Sequence, residues 1–318
     1  MSQDRPVRRY TLPNGMNVAY QVKPELLQFY DDIFEKEIYT KNGITLREGD
    51  CVFDVGANVG MFTVYTAWRY PRTRIFSFEP VPALFEILKE NAAWCDAEVV
   101  LFNCALSDHA GTADLTFYPN TSGMSSFYPN EEEERAALRT LIHNELAQGR
   151  PEVESLLRYE DELVEQRLKA ETVTCELRTL SSVIREHGVE RIDLLKVDVE
   201  KAELDVLAGI EEADWPKIEQ VVLEVHDLEG RIDAVTRLFQ RHGFAVQLEQ
   251  DELYKGSDRY NLYALRERAG AAIEGMGMRS GDLQQRRPDR AAALGKVESR
   301  AQRMRALMQK GGAGGKGS

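Results

Sequence analysis

From Gly49 onward the chain alternates short apolar runs with amphipathic stretches, and no other feature of its 318 residues restricts the fold as much. The runs are CVFDV (51–55), RIFSFE (74–79), EVVLFN (98–103), IDLLKVD (192–198), QVVLEVH (220–226), FAVQLE (244–249) and YNLYALR (260–266). Between them VGMFTVYTAWRY, ALFEILKENAAW, ELDVLAGI and GRIDAVTRLFQRHG carry apolar residues at helical spacing. Near-continuous apolar strands are buried on both faces, and repeated strand–helix units cover a parallel sheet from both sides. The expectation is a doubly wound α/β domain over 49–266, ending in a hairpin-like pair that suits an antiparallel edge.

Other segments decorate this series. In 1–48, RRYTLPNGMNVAYQV reads as two short strands about Pro13, Asn14 and Gly15, and Pro24 opens a cap helix with Leu27, Tyr30, Ile33, Phe34 and Ile38 near one face. The stretch 108–190 interrupts the series with strand-like pieces (ADLTFYP, TVTCELRT) and two helices. One follows the acidic run 131–134 and carries Leu138, Leu141, Ile142 and Leu146, and the other covers about 153–169. An insertion this long at the carboxyl edge of a sheet reads as a lid or substrate wall. The net charge of −13 argues against non-specific binding to nucleic acid. Within 267–318, however, eleven Lys/Arg face five Asp/Glu, so this amphipathic, then Gly-rich tail reads as a linker or docking segment. Cys51, Cys95, Cys104 and Cys175 show neither metal-site nor disulfide spacing. With no long apolar run and no apolar core in MSQDRPVRRY, a cytoplasmic protein without a membrane partner is expected.

FDVGANVG (53–60) is the strongest local signal. A buried strand runs into Asp54, and Gly56, Asn58 and Gly60 let the backbone pass close to a ligand where a helix begins. Glu79 ends the next strand, placed to accept hydrogen bonds from ribose hydroxyls. The loop departs from G-x-G-x-x-G, because Thr63 stands at the third glycine and Asp54 would repel a pyrophosphate. That weighs against a nicotinamide dinucleotide. It suits a cationic nucleoside such as S-adenosyl-L-methionine, with its ammonium and sulfonium.

GDCVFDVGANVGMFT, IFSFEPVP, FNCALSDHAG, SGMSS, LLKVDVEKAELDVLAGI and LEVH follow one another in an order that resembles the FkbM family of class I S-adenosylmethionine-dependent methyltransferases. The resemblance covers about residues 10–266. It implies a Rossmann-like, seven-stranded, mostly parallel sheet and methyl transfer to a hydroxyl oxygen, with S-adenosyl-L-homocysteine as product. It places the cofactor on Asp54, Gly56, Asn58, Gly60 and Glu79, and the adenine near Asn103 and Ala105. Two positions depart from the common pattern: Lys201 where many members read DVEGAE, and Ser181 where many read TLD. Both leave the substrate class open. The DVEK variant looks like methyltransferases attached to polyketide and peptide assembly lines. That implies an acceptor on the phosphopantetheine arm of an acyl carrier protein, with neighbouring synthase domains. A free sugar or small-molecule hydroxyl is the alternative acceptor, and a silent cofactor-binding scaffold the alternative role.

An alcohol is barely acidic, so transfer to it needs a base as well as alignment. His226 ends the strand QVVLEVH at the sheet's carboxyl edge and titrates near neutrality, which makes it the candidate base. Glu224 shares its side of the strand and would orient it. Asp198 and Glu200 at the tip of KVDVE are read as substrate- or base-positioning, with helix capping the alternative for Glu200. Glu203 reads as helical surface, Lys196 as structurally paired, and His109, His143, His187 and His242 as loop or helix-surface residues. Asp198, Glu224 and His226 include donor types for a divalent ion, but their spacing shows no dedicated ligand set, so a metal is not expected.

Overall fold

The computed structural model describes residues 8–147 and 159–267. Strands β1 (Arg8–Thr11) and β2 (Asn17–Tyr20) pair as the expected hairpin. Its turn places Gly15 at φ 86°, and the Leu12 N–H donates to the Met16 carbonyl at 2.7 Å. Residues 8–18 belong to a compact unit separate from 19–267.

The larger unit continues with α1 (Lys23–Tyr30), β3 (Cys51–Val55), α2 (Met61–Arg69), β4 (Arg74–Phe78), α3 (Pro82–Ala92) and β5 (Glu98–Phe102). Next come β6 (Ala105–Leu106), β7 (Gly111–Phe117), α4 (Glu131–Ala147), α5 (Glu160–Arg167), β8 (Glu171–Arg178) and α6 (Leu180–Glu186). It closes with β9 (Leu194–Val197), α7 (Glu203–Ala208), β10 (Gln220–His226), α8 (Arg231–Arg241), β11 (Phe244–Glu249) and β12 (Arg259–Arg266).

Seven strands form the main sheet in the order β11-β12-β10-β9-β3-β4-β5, with β12 running opposite to the other six. This is the expected Rossmann-like α/β class. The chain runs outward from β3 to β5, then returns to lay β9 against the other side of β3. Such a reversal opens a crevice at the carboxyl ends of the two central strands. Phe53 on β3 pairs in register with Phe76 on β4 and Leu195 on β9, and the two rings lie 4.7 Å apart. Burying each of the enclosed rings Phe53, Phe76 and Phe78 contributes roughly 1.5–3 kcal/mol, which makes this centre a rigid base for the crevice.

Three features differ from expectation. The antiparallel strand β12 lies inside the sheet, and β11 forms the edge. The strand pieces of the insertion pair with each other, β7 antiparallel to β8, and with β6 they form a second sheet. The cap helix ends at Tyr30 and continues as a π-turn over 31–35, where the Lys36 N–H donates to the Asp31 carbonyl. Glu37 at φ 53° then stops it, so Ile38 lies beyond. The second insertion helix is seen as α5, while its expected start near 153 and the tail beyond 267 lie outside the described residues. Among the described residues no helix is long and apolar enough to cross a membrane.

Candidate active site

The glycine loop after β3 owes its sequence to contacts as much as to conformation. A Cβ on Gly56, at φ 79°, would stand 1.8 Å from the Asp198 carbonyl oxygen, so the loop packs directly on the end of β9. A Cβ on Gly60 would meet Leu88 Cδ1 at 2.5 Å, so this glycine serves the seating of α2 on α3. Asn58 between them adopts φ 51°, which asparagine tolerates better than most residues. Its N–H donates to Glu79 Oε2 at 2.8 Å, and the Val81 N–H donates to Oε1 at 2.9 Å. Burial nevertheless pushes the Glu79 carboxyl up to about 7. Asn103 spends its amide hydrogens on the carbonyls of Glu79 (2.8 Å) and Pro80 (3.0 Å), fixing the turn that presents Glu79.

Asp54 is fully enclosed. Thr63 Oγ1 donates to one oxygen at 2.7 Å, and Lys196 Nζ lies 3.2 Å from the other. Thr63, the residue at the missing third glycine, is therefore a partner of Asp54. Lys196 also donates to the Gly56 carbonyl at 2.8 Å, so it is structurally paired, as expected.

A cleft of about 900 Å³ opens above this floor. Gly56, Asn58, Glu79 and Ala105 line it, whereas Asp54, Gly60 and Asn103 stand behind the lining and shape it. The insertion closes over the loop: Ser122 Oγ donates to Glu25 Oε2 at 3.0 Å and accepts from Asn58 Nδ2 at 3.1 Å. The Gly123 N–H also reaches Glu25, at 3.1 Å.

The other end of the cleft is lined by Tyr39, Asp198, Glu200, Tyr254 and Arg259. Tyr39 donates its hydroxyl proton to Asp198 Oδ2 at 2.7 Å. Burial alone would raise the Asp198 carboxyl, but Lys196 and Arg259 outweigh it and hold the group below its ordinary range. Glu200 and Lys201 take φ 45° and 74°, two consecutive left-handed residues that are not glycine. Lys201 is held in this conformation by its contacts: Arg231 donates to its carbonyl at 2.7 Å and its ammonium lies 3.2 Å from Glu133. Ser126 Oγ donates to the Glu200 carbonyl at 2.6 Å.

His226 lies behind this lining, 6% exposed, with a carboxylate on each ring nitrogen. Nε2 is 3.1 Å from Glu200 Oε2, and Nδ1 is 2.9 Å from Glu203 Oε1. Burial opposes the charged ring, yet the two carboxylates push its pKa well above the usual range. The expected base thus has no free nitrogen on the cleft. Its orienting partner is Glu203 rather than Glu224, and Glu203 is fully buried rather than on the helix surface. The stripe Glu203, Val206, Leu207, Ile210 at i, i+3, i+4, i+7 carried that signal in the sequence. Arg231 Nη1 holds the second Glu203 oxygen at 2.5 Å.

Glu224 is 2% exposed. The Arg259 guanidinium donates to one of its oxygens and lies over the Tyr254 ring at 4.1 Å, while the other oxygen has no hydrogen-bond partner among the described residues. Burial, with Asp198 and Glu200 nearby, raises the Glu224 carboxyl to about 8 despite Arg259. Tyr39, Arg231 and Arg259 come from segments without a motif, and sequence reasoning missed them. Two other histidines are half-buried, not on the surface: His187 stands edge-on to Phe76, and His242 stacks on Trp215 at 4.1 Å.

The family model of the methyltransferase FkbM domain matches residues 54–246, from the glycine loop through β10 and into β11. The chain belongs to the FkbM methyltransferase family. It is 40% identical over 260 residues to the 31-O-demethyl-FK506 methyltransferase FkbM of Streptomyces tacrolimicus, covering 82% of this chain and 97% of that one. It is 42% identical over 262 residues to the AMB antimetabolite synthetase AmbE of Pseudomonas aeruginosa, covering 80% of this chain but 12% of that protein. Among solved structures it is similar to Aeropyrum pernix fibrillarin with natively bound S-adenosyl-L-methionine, at 12% identity and a TM-score of 0.41, covering 83% of this chain and 84% of that one.

As an FkbM-family protein the chain is an S-adenosylmethionine-dependent methyltransferase. The site fits that cofactor. Glu79 uses its two oxygens on two backbone N–H groups, which leaves acceptor capacity for ribose hydroxyls at the cleft wall. Gly56, where any side chain would collide with β9, keeps the wall beside it bare.

Proposed function

We propose that this FkbM-family protein transfers a methyl group to a hydroxyl oxygen of a polyketide or peptide intermediate held on an acyl carrier protein. One observation carries the reading: the cleft that Glu79 lines at one end presents two carboxylates, Asp198 and Glu200, at the other. Its volume of about 900 Å³ suits a cofactor and an acceptor together. S-adenosylmethionine supplies an electrophilic methyl on its sulfonium when bound. The protein's part is to align the acceptor oxygen and remove its proton. Asp198 faces the acceptor and takes that proton, Glu200 lies beside it, and His226, clamped between Glu200 and Glu203, steadies the charge from behind. The sequence-based choice of His226 as the base itself gives way to this arrangement, because both its nitrogens are engaged.

A methyl on oxygen is supported by the name of the Streptomyces relative, a 31-O-demethyl-FK506 methyltransferase. A carrier-bound acceptor is supported by the match to a short part of a synthetase. A second reading, a freely diffusing acceptor, is favoured by the near-complete coverage of the stand-alone FkbM protein. Intact-mass analysis separates them: an acyl carrier protein bearing a β-hydroxyacyl chain, incubated with the protein and cofactor, is expected to gain one methyl. No gain with cofactor binding intact, together with methylation of a free hydroxyl compound, overturns the carrier-bound reading.

A further inference from the structure

We infer that Glu200, Glu224 and His226 form a binding site for one hard divalent cation, of the Mg2+ or Mn2+ class, at the acceptor end of the cleft. One ligand atom from each of the three residues lies within 4.8 Å of the others. Adjacent ligands on an octahedral ion at about 2.1 Å stand about 3 Å apart, and His226 Nε2 and Glu200 Oε2 are 3.1 Å apart. The histidine is built as a ligand. Its Nδ1 is fixed on Glu203 Oε1 at 2.9 Å, and Arg231 fixes Glu203 in turn, which aims Nε2 at Glu200. A carboxylate on the remote nitrogen is the usual support of a metal-bound imidazole.

An ion pair between His226 and Glu200 would explain their contact alone, but it leaves Glu224 unexplained. That side chain is 2% exposed, has one oxygen without a hydrogen-bond partner among the described residues, and lies within reach of the Glu200 carboxylate. An isolated buried oxygen of this kind is costly unless a cation meets it. Arg259 occupies one Glu224 oxygen and leaves the other for the ion. Because Glu200 lines the cleft, the ion is reached from it. There it makes an acceptor hydroxyl easier to deprotonate, with Asp198 left facing it as proton acceptor. That role rests on the proposed methyl transfer, whereas the existence of the site does not.

The test uses the full chain, stripped with EDTA, dialysed and titrated with Mn2+ without acceptor, following free ion by electron paramagnetic resonance. The expected result is one Mn2+ per chain, displaced by Mg2+. Glu224→Gln and His226→Gln each weaken it about tenfold or more, and Glu203→Gln about tenfold through the histidine, all with cofactor binding retained. Asp205→Asn, outside the cluster, binds as the parent does. As a readout independent of the variants, Mn2+ should broaden the imidazole proton signals of His226 before those of the other four histidines. No bound Mn2+, or unchanged affinity in both ligand variants, or broadening that does not single out His226, overturns the site. If Mn2+ binds as described and no hydroxyl is methylated, the site stands and the proposed function falls.

Discussion

His226 Nδ1 and Glu203 Oε1 lie 2.9 Å apart in the closed interior, and Arg231 holds the other Glu203 oxygen. Glu203 is fully buried, so it compensates two cationic partners away from water. Glu203→Ala strands both and should cost about 3–5 kcal/mol, read as a fall in Tm. Glu203→Gln preserves the shape of the contact. It should fold and bind cofactor, with methyl transfer down about 10- to 100-fold.

Cofactor affinity should depend on pH through Glu79. Burial raises its carboxyl from an ordinary 4.5 to about 7, so the folded protein keeps that proton over a range where the unfolded chain loses it. The stability this group lends is complete below 4.5 and is lost as pH rises through about 7. Cofactor binding runs the other way, since ribose hydroxyls need the ionised carboxylate. Affinity should fall up to about tenfold per unit below neutrality. Calorimetric titrations one pH unit either side of neutrality check this, and Glu79→Gln should weaken binding and abolish the pH dependence.

Gly56→Ala should be among the most damaging single substitutions. The new Cβ falls 1.8 Å from the Asp198 carbonyl on a backbone at φ 79°. Strain and displacement of the β9 tip together should cost more than about 2 kcal/mol and abolish cofactor binding. Gly230→Ala, where a Cβ meets nothing within 4 Å among the described residues, shares the left-handed conformation without the collision and should lose about 1 kcal/mol. Thermal melts of the two variants separate collision from conformation.

Ser122→Ala removes the hydroxyl that joins Glu25 to Asn58. The loss of hydrogen bonds worth about 1 kcal/mol each should loosen the insertion before it affects the sheet. Limited proteolysis should then cut within 108–190 faster than in the parent protein. Cofactor and acceptor together should slow cleavage in both, and cleavage indifferent to ligands would contradict the lid reading of this segment.

The central strands were legible because continuous apolar runs such as CVFDV make sense only between two covering layers, and the loop and Glu79 because their spacing is short-range. The acceptor end was harder. Glu203 was misplaced because its charge was given more weight than its position on an apolar stripe. Tyr39 and Arg259 reach Asp198 and Glu224 from opposite ends of the chain, and nothing local to either marks it. Glu224 follows its strand's periodicity correctly, but whether it would meet His226 or Arg259 depends on β12 lying beside β10, which a strand pattern does not state. Likewise β7 and β8 find each other across an insertion whose length hides the pairing.

The 2.6 Å hydrogen bond from Ser126 to the Glu200 carbonyl has a consequence for engineering. The insertion, proposed above to wall the acceptor, also props up the turn that carries Glu200 into the cleft. Grafting this segment from a relative to change which molecule is methylated therefore exchanges a structural brace along with the substrate wall. Chimeras of this kind should inherit altered rates with altered selectivity unless a hydroxyl is kept at position 126, and acceptor choice in this protein is not a detachable module.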